Sequence, residues 1–196
     1  MEGSKMRNIM SRWVLASALG AVALTQASAS IVFHFNTVHS GAVPVGSASW
    51  AVMTMNDIPG GVQISLTNNA TNPTGQFIGQ LNLLFTPQPT GSNFSSDPYV
   101  QSISLGNFTD AGLGFSVKVA FKKPALQRLL PGGTSTFQLF GVSTANFVGA
   151  NNSAMVHIQA IPPLGDSGKI IAPEPGSLIA IGTGLVSLLG LRRRKK

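Results

Sequence analysis

Between positions 30 and 172 the side chains able to do acid–base or metal chemistry are few. They are three histidines, His34, His39 and His157, and four aspartates, Asp57, Asp97, Asp110 and Asp166. That stretch has no glutamate, and the whole chain has no cysteine. Acid–base catalysis needs two positioned carboxyl groups with separated pKa values, and none of these aspartates neighbours another along the chain. A Ser-His-acid triad would have to form without a Gly-x-Ser-x-Gly elbow, which the sequence lacks. Zinc is disfavoured, because His34 and His39 stand without a thiol or acidic cluster beside them. Calcium suits the residue types better, since Asn and carbonyl oxygens can join one Asp. Asp57 beside Asn56, or Asp110 near Asn107, would be its ligands. Such residues more often close turns, so no catalytic residue, cofactor or metal is expected, and the chain reads as non-enzymatic.

Sugar binding is the chemistry the remaining residue types suit best. It needs aromatic faces flanked by amide hydrogen-bonding groups. Trp50, Phe94, Tyr99 and Phe108 supply the rings, with Asn93 and Asn107 beside two of them. Trp50 lies in an apolar run and reads as core, which leaves Phe94 and Phe108 as the better candidates. Asn69, Asn93, Asn107 and Asn151 each open an Asn-x-Ser/Thr pattern, which reads as surface loop in a chain this rich in Asn and Ser.

The elements that would carry these groups are short and β-rich. Val62 to Thr67 alternates apolar and polar residues, the period of a half-buried strand. Phe115, Val117, Val119 and Phe121 share one face. Further strands are expected at 31–35, 50–55, 77–85, 99–105, 136–140 and 155–160. Turn chemistry separates them at Pro59-Gly60-Gly61, Asn72-Pro73-Thr74-Gly75 and Pro131-Gly132-Gly133. Pro124 to Leu130 reads as one helical turn, and Pro162 to Ala172 as a linker. The expected fold is all-β, an antiparallel β-sandwich of jelly-roll type over residues 30–161. With no cysteine, no disulfide framework supports it, and stability must come from the core.

The two ends read differently. Lys5, Arg7 and Arg12 precede an uncharged apolar run from Trp13 to Leu24, then Ala27-Ser28-Ala29. This is the pattern of a secretory signal peptide over 1–29, cut by signal peptidase so that the mature chain begins near Ser30. At the other end stand Pro173-Glu174-Pro175, an uncharged stretch from Gly176 to Leu191, and Arg192-Arg193-Arg194-Lys195-Lys196. As a helix that stretch is about 24 Å long, slightly short of a bilayer core of about 30 Å. The flanking basic side chains can snorkel to make up the difference. The positive-inside rule keeps Arg192 to Lys196 cytoplasmic and places everything before Pro173 outside.

These three tail parts, in order, resemble the PEP-CTERM sorting signal of exported bacterial proteins. The resemblance implies that Pro173, Glu174 and Pro175 are a recognition motif for an exosortase, with cleavage at or near it. It also implies an inner-membrane intermediate on the way to the cell surface or matrix, and an exopolysaccharide or biofilm setting in Gram-negative bacteria. Val62 to Asn68, Gly112-Leu113-Gly114-Phe115, and Met155 to Ile161 ahead of Ser167 to Ile170 are similar to the body of a group of such exoproteins. That second likeness implies a β-rich body and assigns no activity.

The formal charge of +7 invites a nucleic-acid reading until it is partitioned. Residues 1–29 carry +2 and residues 173–196 carry +4. The body sets Lys118, Lys122, Lys123, Arg128 and Lys169 against its four aspartates, a net +1. The basicity belongs to the ends, and no nucleic-acid partner is expected. The expected partners are signal peptidase, exosortase, the membrane before processing, and extracellular polysaccharide. The role these features suggest is structural or adhesive.

Overall fold

Alternation of apolar and polar residues builds two antiparallel sheets. The structure is a computed structural model that describes residues 30–69, 75–147 and 152–173. Its strands are β1 (Ser30–Phe35), β2 (Thr37–Gly41), β3 (Ala51–Ile58), β4 (Gly61–Asn68), β5 (Phe77–Leu83), β6 (Gly91–Asn93), β7 (Val100–Asp110), β8 (Leu113–Phe121), β9 (Thr134–Phe140), β10 (Ala154–Ile161) and β11 (Asp166–Ile171). The first sheet has the order β1-β3-β4-β9-β6 and the second β2-β11-β10-β5-β8-β7. Among the described residues two 3-10 turns interrupt the strands, Ala125–Gln127 and Thr144–Asn146.

Both sheets feed one apolar cluster. Met53, Met55, Val62, Ile64, Leu66, Phe137 and Leu139 come from the first sheet, and Leu81, Leu83, Val117, Val119, Phe121, Val156 and Ile158 from the second. The period of two turns every second residue of β4 and β9 inward and leaves Gln63, Ser65, Thr67, Thr136 and Gln138 on the outer face. Trp50 is in the core, and its indole N–H donates to the Gly46 carbonyl at 3.2 Å.

All eight expected strands are present, with ends moved by a few residues. The helical turn expected over 124–130 is shorter, covering Ala125–Gln127, with Leu126 in solvent and Leu129 buried. The linker expected over 162–172 is corrected. Asp166–Ile171 form β11, which lies between β10 and β2 and buries Ile170, and Ala172 directly after it is buried too. The folded body therefore runs to Ala172, not Ile161. The sequence misled because Pro162-Pro163-Leu164-Gly165 is a turn and Asp166-Ser167-Gly168 has no apolar side chain. Gly168 is needed there, since a Cβ would sit 2.1 Å from the Ala42 carbonyl oxygen.

Among the described residues no helix is long and apolar enough to cross a membrane. The expected signal-peptide helix, with Ala27 and Ala29, lies outside the described residues, as do Glu174, Pro175, the sorting helix and Arg192 to Lys196. Ser30 is the first residue of β1 and pairs with Asn56.

Candidate functional site

The groups most able to do chemistry converge under one arm. The β7–β8 hairpin turns at Ala111 and Gly112, which take φ of +51° and +80°, values that suit a tight hairpin. Its strands sit at one border of the second sheet, while β11 and β2 sit at the other. Yet the His39 ring (Nε2) lies 3.0 Å from the Ala111 carbonyl, and Asp110 forms an ion pair with Lys169. With strands about 4.8 Å apart, a flat hairpin would leave its tip far from β2. The arm must instead fold back across the outer face of the sheet. Two register shifts in β7, one spanning Gly106 at φ +137°, accompany that bend.

Beneath the arm, Asp110 is surrounded by donors. Lys169 donates to Oδ1, while Gln80 (3.1 Å) and Asn82 (2.9 Å) donate to Oδ2. Burial pushes its carboxyl pKa up, but the Lys169 hydrogen bond, the Asn82 amide and the charges of Lys169 and His157 outweigh this and hold it below the ordinary value. His157, on the same face of β10, is pushed down by burial first and then by Lys169 and Lys123, with Asp110 opposing. A carboxylate whose lone pairs are taken by an ammonium and two amides is a poor base. It acts as a fastener, joining the arm to β5 and β11. Met155 and Phe115 are buried nearby, at 1% and 2% exposure, although neither belongs to the main core.

The other aspartates hold backbone. Asp97 accepts from the N–H groups of Tyr99 and Val100, both at 2.8 Å, and of Thr136 at 2.6 Å, pinning the loop before β7 to β9. Asp57 accepts from the N–H (2.7 Å) and hydroxyl (2.8 Å) of Thr144. It lines a cleft of about 400 Å³ with Gly60, Gly141, Ser143 and Asn146. Asp166 is exposed at the start of β11.

The calcium pairings do not assemble. Asn56 and Asp57 are successive strand residues and point to opposite faces. Asp110 already holds Lys169, while Asn107 lines a different pocket. His34 approaches Ser49 on the first sheet, and His39 the Ala111 carbonyl on the second. Among the described residues no three His, Asp or Glu side chains gather as metal ligands.

The two sugar candidates part ways. Asn93 closes a turn by accepting from the N–H and hydroxyl of Ser95, and Phe94 packs on the main core, as does Tyr99. Asn107 and Phe108 instead line an open pocket of about 390 Å³ with Leu84, Thr109, Gly114 and Phe115. The Phe108 ring rests on Phe115, with centroids 5.8 Å apart. Asn107 and Phe108 are candidates in the sequence, which carries no sign that Leu84, Gly114 and Phe115 join them in a pocket.

The model of the PEP-CTERM protein-sorting motif matches residues 172–195. The chain thus carries that sorting motif, which implies processing by an exosortase, export and sorting to the cell surface. No curated protein and no solved structure matches the chain. Of the recognition residues, Pro173 is described and exposed. It follows at once on Ala172, whose N–H is bonded to the Ala154 carbonyl at 3.3 Å.

Proposed function

We propose that this is a non-enzymatic exoprotein, a β-sandwich of jelly-roll type that is structural or adhesive in or beside an extracellular polysaccharide matrix. In this reading residues 1–29 are removed by signal peptidase, the apolar tail holds an inner-membrane intermediate, and an exosortase acts at Pro173-Glu174-Pro175. The observation that carries it is the sorting motif at 172–195 following directly on a folded β body. The uncharged outer face of the first sheet suits a neutral matrix. So does the commitment of Asp57, Asp97 and Asp110 to structural hydrogen bonds, where a hydrolase would need an acid and a base free in a cleft. The deciding experiment is the intact mass of the protein recovered from outside its native cells. Loss of both residues 1–29 and the tail beyond the Pro-Glu-Pro region supports the reading. Retention of Arg192 to Lys196 makes the tail a plain anchor and removes the exosortase step.

A second reading, a carbohydrate-binding module, is favoured by the Asn107–Phe108 pocket alone. Its volume is that of a small-ligand site, and it combines an aromatic wall with an amide and a hydroxyl. Glycan-array binding that falls about tenfold or more in Phe108→Ala would establish it, the scale set by losing one stacking face. No binding by the native protein would discard it.

A further inference from the structure

A sheet edge presents unpaired N–H and C=O groups to any extended chain, and proteins usually blunt it. Three of the four edges here are blunted. β6 has three residues. β7 is broken by two register shifts. β2 is short, shifts register against β11, and is met by the arm tip at His39. β1 is the exception. Its six residues, Ser-Ile-Val-Phe-His-Phe, pair with β3 in unbroken register. It has no proline, no formal charge and no bulge, and Val32 stands 39% exposed on its outer face. Among the described residues nothing pairs with its other side.

We propose that β1 is a self-assembly edge at which two copies of this chain pair antiparallel about a two-fold axis normal to the sheet. Three features point to a second copy. Among the described residues the backbone groups along its open side have no strand partner, and a run of such groups in unbroken register is satisfied along its length by another extended strand. The strand has no formal charge within it, so pairing it with itself opposes no like side-chain charges. Its alternation also suits itself. Ser30, Val32 and His34 face outward while Phe33 and Phe35 enter the core, and this axis keeps the inward sides of both copies together. The two first sheets would then run on as one. Only Asn36 separates β1 from β2, so the second sheets meet at the same border.

The inference rests on the fold and does not require the sorting or sugar readings, because it is measured on purified full chain whatever its processing. The chain has no cysteine, so introduced thiols report cleanly. Ser30→Cys, Val32→Cys and His34→Cys, singly and in mixed pairs, cover every antiparallel register that keeps Val32 outward. Paired strand positions bring Cα atoms within disulfide range. Leu126→Cys, on the fully exposed 3-10 turn, is the control. The expected result is a dimer by native mass and about tenfold faster cross-linking of one β1 combination than of Leu126→Cys, with like charge in Val32→Lys giving a folded monomer. A monomeric native protein, β1 cross-linking no faster than the control, or a Val32→Lys dimer would each overturn the proposal.

Discussion

Asp110 shows how a residue weighed in the sequence as a calcium ligand can serve the fold as a fastener. It was legible as one of four scarce carboxylates, but its partners, Lys169, Asn82 and Gln80, are 28 to 59 positions away and had no local signature. The same holds for His157, which lies on the outer side of β10 and has no local signature of the arm above it. Both groups have lowered pKa values, so for both the unfolded chain binds protons that the folded one refuses. Stability is therefore full above the unfolded pKa and declines on acidification. His157 contributes a decline starting near its ordinary value of 6.5, and Asp110 a second one below 3.8. In His157→Gln the first decline should vanish while the second remains, as read from urea midpoints across pH. Asp110→Asn should remove the second, cost about 1 kcal/mol at neutral pH, and raise amide exchange at the arm tip.

Among the elements, β11 carries the clearest lesson. Its buried side is only Gly168 and Ile170, too sparse a pattern to distinguish from a linker. It becomes a strand because β10 and β2 satisfy its backbone on both sides. β2 and β6 escaped notice for the same reason, offering one apolar side chain, Val38, between them. The strands that were legible, such as β4 and β8, are those whose own side chains fill the core. If β11 belongs to the body, Ile170→Ala should cost about 2–5 kcal/mol, measured by chemical unfolding. A change near zero would return the segment to linker status. The arm was illegible from the other direction. Its strands alternate normally, and the fold-back depends on Gly106 and on side chains at the far border of the sheet.

For the whole molecule, charge separates the two ends from the body. Six of the seven net positive charges lie in 1–29 and 173–196, so a chain stripped of both ends should focus at a clearly lower pH by isoelectric focusing than one keeping its basic tail. The body itself meets the tail with no slack. Ala172 is locked to β10 and Pro173 is already outside. A residue of extended chain spans about 3.5 Å, so an enzyme working at Pro173 must press its cleft almost against folded protein. Cutting on the N-terminal side of Pro173 would require freeing Ala172 from its bond to Ala154 first. The length of the leash thus acts as a ruler. On the proposed exosortase reading it favours bonds beyond Pro173 and makes the firmness of the last strand's grip part of what sets the rate of cutting.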